Sequence, residues 1–277
     1  MMRLRRRIAM LDSGLGGLGV LAAVRSIMPD ADVMYFADTA RVPYGDRPLP
    51  QVAEFGRQII AWLLPYEPSL IIVASGTTCA AFEQVDFRCP DVTQLGIVEC
   101  AAEAAVRCTK NDRIGVVATA ATADSGIFGR RLRALRSDLE VTEVGAPALV
   151  PLVEAGAWRT QEARAAVDAS VRPLTAAGCD VVILGCTHFP HLERWFRESF
   201  RAGVTISDPA VACAAAAARI LADAQPGTGR LEFAASGDAA LFGRRALALT
   251  GIAGIAARHV DPATLSVLGR ATPSGTV

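Results

Sequence analysis

Short apolar runs recur along the chain, each closed by small polar residues and followed by a longer stretch with apolar positions near helical spacing. The runs Ile8–Leu11, Val33–Phe36, Leu70–Ala74, Ile114–Ala118, Val141–Val144 and Val181–Leu184 predict buried strands. Between them, Leu18–Met28, Gln51–Leu64 and Thr160–Ala176 predict helices, and the Ala-rich stretch Pro209–Ala224 predicts another long one. Strand and helix in alternation predict an α/β fold of mostly parallel sheets flanked by helices, with sites at the carboxyl ends of strands. A second series opens at Arg113 with its own strand exit rich in Ala, Thr and Ser. Two similar lobes facing each other across a cleft are therefore expected, residues 1–98 with 209–277 forming the first and 99–208 the second. The last seven residues, AlaThrProSerGlyThrVal, read as a frayed tail.

Composition narrows the class. The chain has 277 residues, 28 Lys and Arg against 28 Asp and Glu, and 52% hydrophobic residues. Balanced charge gives no field for nucleic acid, and the ArgLeuArgArgArg run at 3–7 is too short to change that; it reads as a solvated terminus. No apolar segment has the length of a signal peptide core or a membrane span, so no membrane partner and a cytoplasmic setting are expected. Seven cysteines, at 79, 89, 100, 108, 179, 186 and 213, show neither CxxC nor Cys/His zinc spacing. Most read as small buried hydrophobes, and no metal is expected.

Candidate chemistry sits at the strand exits. The first, AspSerGlyLeuGlyGlyLeuGly (12–19), contains Gly14, Gly16 and Gly19 at dinucleotide-fingerprint spacing, with Asp38 ending the next strand. Asp12 argues against that reading, because a carboxylate there would face the pyrophosphate. The alternative puts Asp12 beside an active centre, with glycines that let backbone amides approach a small carboxylate. The second exit, residues 37–46, combines a turn signal with Tyr44 and Gly45. The exit after Ile114–Ala118 puts Thr119 and Thr122 at a helix start, where hydroxyls cap amides or hold a ligand carboxylate. After Val181–Leu184 come Cys186, Thr187 and His188. A thiol at a strand end, before a helix start and two residues from an imidazole, is placed for stabilisation as thiolate. From a reference pKa of about 8.5, such a thiol is suited to proton transfer near neutrality.

Together these exits resemble the glutamate racemases, in the cofactor-independent aspartate/glutamate racemase superfamily. The matching stretches are AspSerGlyLeuGlyGlyLeu (12–18), TyrPheAlaAspThrAlaArgValProTyrGly (35–45), ThrAlaAlaThr with Ser125 (119–125), ProLeuValGluAlaGly (151–156), LeuGlyCysThrHisPhePro (184–190) and AlaSerGlyAsp (235–238). The resemblance implies two α/β lobes with the site between them and a small amino-acid or dicarboxylate substrate, and it is compatible with a homodimer. It further implies deprotonation at Cα by one cysteine and reprotonation on the opposite face by another, with no cofactor. Asp12 would assist the first-lobe thiol and His188 the second, Cys186. Ser13, Tyr44, Gly45, Thr77, Thr119, Thr122, Thr187 and Glu154 would line the substrate site.

The departure falls on the first thiol. Where the family reads AlaCysAsnThrAlaSer, this chain reads AlaSerGlyThrThrCys, so Ser75 replaces the cysteine and Gly76 the asparagine. Loss of one positioned acid/base costs ~10²–10⁴-fold. Cys79 lies one helical turn further on, ~6 Å deeper by rise alone, and would serve only if the helix began late. Over three residues, Gly76, Thr77 and Thr78 also resemble the GlyThrSer turn of arylmalonate decarboxylase, which has one cysteine, and on that likeness Gly76 and Thr78 join the expected substrate-site residues. The leading expectation is therefore a one-thiol enzyme that forms a carbanion or enediolate by breaking a bond other than Cα–H, a lyase or decarboxylase with Cys186 as its acid/base. The second is glutamate racemase itself, with Ser75 or Cys79 serving the first face and D-glutamate going to cell-wall synthesis. The third is an amino-acid-binding protein without catalysis.

Overall fold

Apolar runs buried on both faces become inner strands with parallel neighbours, and this chain has them in two series. The computed structural model describes residues 4–252 and 255–271. The strands β1 (Arg7–Asp12), β2 (Asp32–Ala37), β3 (Leu70–Val73) and β4 (Gln94–Gly96) begin one sheet. The strands β5 (Arg113–Ala118), β6 (Glu140–Gly145), β7 (Val181–Leu184) and β8 (Thr205–Ser207) form a second, and β9 (Leu231–Ala235) with β10 (Ala257–His259) return to the first. The sheet orders are β10-β9-β2-β1-β3-β4 and β6-β5-β7-β8, parallel throughout. The two-lobe α/β architecture expected from the pattern is present. All six expected strands form, with Ala74 just outside its strand. The four that the pattern missed lie toward the outside of the sheets, are three to five residues long and are only partly buried, so their apolar signal is weak.

In the first lobe α1 (Leu18–Ile27) follows β1, α2 (Leu49–Leu63) follows β2 and α3 (Gly76–Gln84) follows β3. Helix α4 (Ile97–Cys108) leads to the second lobe, which carries α5 (Ala120–Ser125), α6 (Ile127–Leu135), α7 (Leu149–Glu154), α8 (Gln161–Ala176) and α9 (Glu193–Ser199). The return consists of α10 (Pro209–Ile220), α11 (Ala239–Thr250) and α12 (Pro262–Ala271). Helix α10 packs on α1 and α4, and β9 and β10 lie in the sheet of β1–β4. It ends at Ile220 rather than 224 because Gln225 is drawn to the N-terminal segment, its N–H donating to Leu4 O at 2.8 Å. The basic run is tied down rather than merely solvated: Arg6 pairs with Asp30 at 2.9 Å, and Arg7 opens β1. Of the expected tail, Ala271 ends α12 and residues 272–277 lie outside the described residues. No helix among the described residues is long and apolar enough to cross a membrane.

Parallel strands put all exits of a sheet on one edge, and here the two edges meet. A Cβ on Gly76, at the start of α3, would stand 2.7 Å from the carbonyl oxygen of Gly185, just past β7. A Cβ on Gly16, past β1, would overlap the Thr187 hydroxyl and come within 2.9 Å of His188 Nδ1. Glycine is required at both by close approach, because a side chain would hold the lobes apart. Elsewhere on the seam Ala121 N–H donates to Gly45 O at 3.2 Å, and Arg130 pairs with Glu83 at 2.8 Å.

Two glycine substitutions should move stability in opposite directions. Gly76→Ala meets backbone that cannot rotate away and should cost about 1–3 kcal/mol. Gly19→Ala, in the first turn of α1 with nothing within 4 Å of the added carbon, should stabilise by about 0.5–1 kcal/mol. Urea denaturation of the two variants beside the parent checks both signs.

Candidate active site

The thiol at the exit of β7 is backed by an imidazole and a carboxylate in line. Cys186 Sγ lies 3.7 Å from His188 Nδ1, and His188 Nε2 lies 2.7 Å from Glu154 Oε1 at the end of α7. Glu154 accepts, so Nε2 carries a hydrogen, and Nδ1 is the nitrogen that faces the thiol. His188 is 2% exposed. The helix start expected after these residues is a single 3₁₀ turn, Phe189–Leu192, and α9 begins only at Glu193. The imidazole, rather than a helix dipole, is therefore the group placed to stabilise a thiolate here.

Across the cavity, the first-lobe exit presents a hydroxyl. Ser75 is the N-cap of α3, and its Oγ accepts from Thr78 N–H at 3.2 Å. Cys79 is no substitute. One turn into α3, its Sγ points to Val73 O at 3.6 Å and packs against Gly96, away from the interlobe cavity. Burial pushes that thiol's pKa far up, and the Glu99 charge adds to it. Thr78 also leaves the site. One residue past Thr77, it is turned about 100° around the helix, with its methyl toward Gly56 on α2. The Asp12 oxygens accept from Gly14 N–H at 2.9 Å and Thr187 Oγ1 at 3.2 Å.

Of the expected substrate-site residues, Ser13, Tyr44, Gly45, Gly76, Thr77, Thr119 and Thr187 line the cavity with Ser75, Cys186 and His188. Thr122 stands behind, in a triangle of hydroxyls with Thr77 and Thr119 whose sides are 2.8, 3.0 and 3.1 Å. Thr119 also caps α5, which bears out the capping reading of that exit. Glu154 supports His188 rather than lining the cavity. The Tyr44 hydroxyl is committed to Asp38, which also accepts from Ser236 Oγ at 2.6 Å and Arg41 Nε at 2.9 Å. With Asp38 fully buried and Gly16 packed under Thr187 and His188, the dinucleotide reading has neither its ribose ligand nor its phosphate cradle. Asp46, Pro147 and Val150 also line the cavity and carried no sequence signal. The cavity measures about 20 Å³, room for about one water. Among the described residues no group of three or more His, Cys, Asp or Glu is arranged to hold a metal ion.

Burial alone would depress the His188 pKa. Hydrogen bonds to Cys186 and Glu154, with the charges of Cys186 and Asp12, outweigh it and raise the pKa well above the ordinary 6.5. Glu154 moves oppositely: burial would raise it, but the bond to His188, its charge and Arg245 hold it below the ordinary 4.5. A raised imidazole stabilises the fold fully below its unfolded pKa and loses that contribution as pH rises through the folded value. A lowered carboxylate contributes above its unfolded pKa and loses it as pH falls through the folded one. Both are complete between 4.5 and 6.5. Glu154→Gln should therefore lower the His188 titration midpoint in NMR and cost about 1–3 kcal/mol at pH 6, with a smaller cost at high pH where the imidazole is neutral.

Comparison with known proteins places the chain in a family. Residues 19–218 match the family Asp/Glu/Hydantoin racemase. Glutamate racemase 2 of Caldanaerobacter subterraneus is 34% identical over 245 residues, covering 87% of this chain and 92% of the relative. The glutamate racemase of Symbiobacterium thermophilum is 35% identical over 246 residues, 86% and 88% of the two chains. Among solved structures, a Bacillus anthracis glutamate racemase isoform superposes with a TM-score of 0.87 at 29% identity, over 92% of this chain and 97% of that one. The Thermus thermophilus glutamate racemase bound to β-chloro-D-alanine gives 0.81 at 33% identity, over 95% and 98%. A two-lobe fold, a second-lobe thiol backed by histidine and glutamate, and matches across most of its length place this chain in the Asp/Glu/hydantoin racemase family.

Proposed function

We propose that the protein is a glutamate racemase whose two faces are served unequally, Cys186 carrying one and Ser75 the other. The observation behind this reading is the line Cys186–His188–Glu154 facing a cavity whose first-lobe wall holds a hydroxyl. Relatives named glutamate racemase, 34% and 35% identical over most of the chain, support glutamate as substrate. In the forward step Cys186 thiolate takes the α-hydrogen, the Cα–H bond breaks, and its electron pair spreads into the carboxylate. Imidazolium at His188 stabilises the thiolate before transfer and the site's charge balance after it. The α3 N-terminus, with the Thr77 and Thr119 hydroxyls that line the cavity, offers donors for the carboxylate. Return of a proton on the opposite face falls to Ser75, whose hydroxyl is far less acidic than a thiol. Among the described residues no base hydrogen-bonds to its Oγ.

One observation favours a second reading: Cys79 points away, so the cavity holds a single thiol. A reaction that breaks C–CO₂ instead of Cα–H needs only one proton donor. There carbon dioxide leaves, the electron pair stays as an enediolate, and Cys186 protonates one face. The comparisons give the racemase reading the stronger support.

Chiral chromatography of L- and D-glutamate incubations separates the two. Racemisation should be slow in the parent, rise by ~10²–10⁴-fold in Ser75→Cys and vanish in Cys186→Ala. No rise in Ser75→Cys, with decarboxylation of a substituted malonate by the parent, would transfer the function to the one-thiol reading. Saturable glutamate binding without turnover in every variant would leave a binding role.

A further inference from the structure

Glu154 uses its two oxygens on different lobes. Oε1 accepts from His188, on the second lobe with Glu154 itself. Oε2 lies 3.6 Å from Arg245 Nη1. Arg245 sits on α11, which packs on β9, β10 and α1 of the first lobe. The ion pair therefore spans the cleft and exists only while the lobes are together. They must part to admit a substrate, since a cavity of about 20 Å³ is far smaller than an amino acid.

Other charged or titratable groups face the imidazole from every side. Cys186 lies on the same strand exit, Asp12 at the end of β1, Glu154 on α7 and His191 in the 3₁₀ turn. Tyr35 on β2 feels Asp12 and Glu154, and with its pKa raised well above 10.0 it stays neutral. Arg245 is the cation that reaches this group from the first lobe through Glu154.

We propose that Arg245 is a positioning residue that couples lobe closure to proton transfer: on closure it draws the Glu154 carboxylate's charge away from His188, so the imidazolium gives up its proton more readily. With the lobes apart, Glu154 serves His188 alone and the imidazolium is held tightly. With them together, the carboxylate is shared between two cations and its pull on each is weaker. The acid/base pair is then released for transfer only around an enclosed substrate. This rests on the racemase reading for its purpose, but it is tested without turnover.

The test is an NMR titration of the His188 ring in the intact protein. Loss of the cation in Arg245→Ala should raise the His188 midpoint by about half a pH unit at low ionic strength. Arg245→Lys should restore it, and the shift should shrink in high salt because Arg245 is 45% exposed. Arg245→Gln gives the same result should Ala disturb α11, and Arg244→Ala, on the exposed side of the same helix, should leave the midpoint alone. In a Glu154→Gln background the Arg245→Ala shift should largely disappear. An unchanged midpoint would overturn the coupling. A lowered one would do so too, showing that Arg245 only orders Glu154. A raised midpoint in a protein that never turns over glutamate would refute the racemase reading and leave the coupling standing.

Discussion

Backbone contact between two sets of strand exits is the constraint on which this site depends. Each exit alone is a loop with small residues, and none holds a complete set of acid, base and carboxylate donors. Closing the lobes until Gly76 meets Gly185 and Gly16 meets Thr187 and His188 puts Asp12 against Thr187 and Thr77 against Thr119 and Thr122. The same contact buries the thiol and its imidazole, where charge interactions are stronger than at a surface. Wedging the seam at one glycine therefore disturbs groups on both lobes.

Much of this is legible in the sequence because the sheets are parallel. Inner strands such as Val181–Leu184 announce themselves by unbroken apolar runs, and their ends are where chemistry collects. Cys186 and His188, two residues apart at such an end, needed no tertiary information to be paired. Glu154 did: it is 34 residues from His188, and only the packing of α7 against the 3₁₀ turn joins them. Thr77 and Thr78 show a different limit, since helix phase decides which faces the cleft, and that phase follows from Ser75 being the cap. Asp38 looked available at a strand end, yet Tyr44, Arg41 and Ser236, the last 198 residues away, converge on it. Arg245 carried no signal because one exposed arginine on an amphipathic helix looks like any other.

The serine at position 75 is best understood with its neighbours. As a cap its Oγ is already engaged by Thr78 N–H, which stabilises α3 by about 1 kcal/mol. Gly76 removes the side chain that would otherwise separate the exits of β3 and β7. The seam thus closes more tightly than a bulkier residue there would permit, around a cavity lined by a single thiol. Such a site should move protons well on one face of a carbon and poorly on the other. In the glutamate reading, the enantiomer presenting its hydrogen to Cys186 loses it easily and usually receives one back from the same thiol.

That asymmetry is directly measurable in deuterium oxide. Loss of the α-proton and inversion of configuration are followed in one sample for each glutamate enantiomer, by NMR and by circular dichroism. With one competent thiol, one enantiomer should exchange its α-proton with retention, and that exchange should outrun inversion by ~10²–10⁴-fold. Equal rates of exchange and inversion from both enantiomers would contradict it, since they would mean that a second group matches Cys186 on the face served by Ser75.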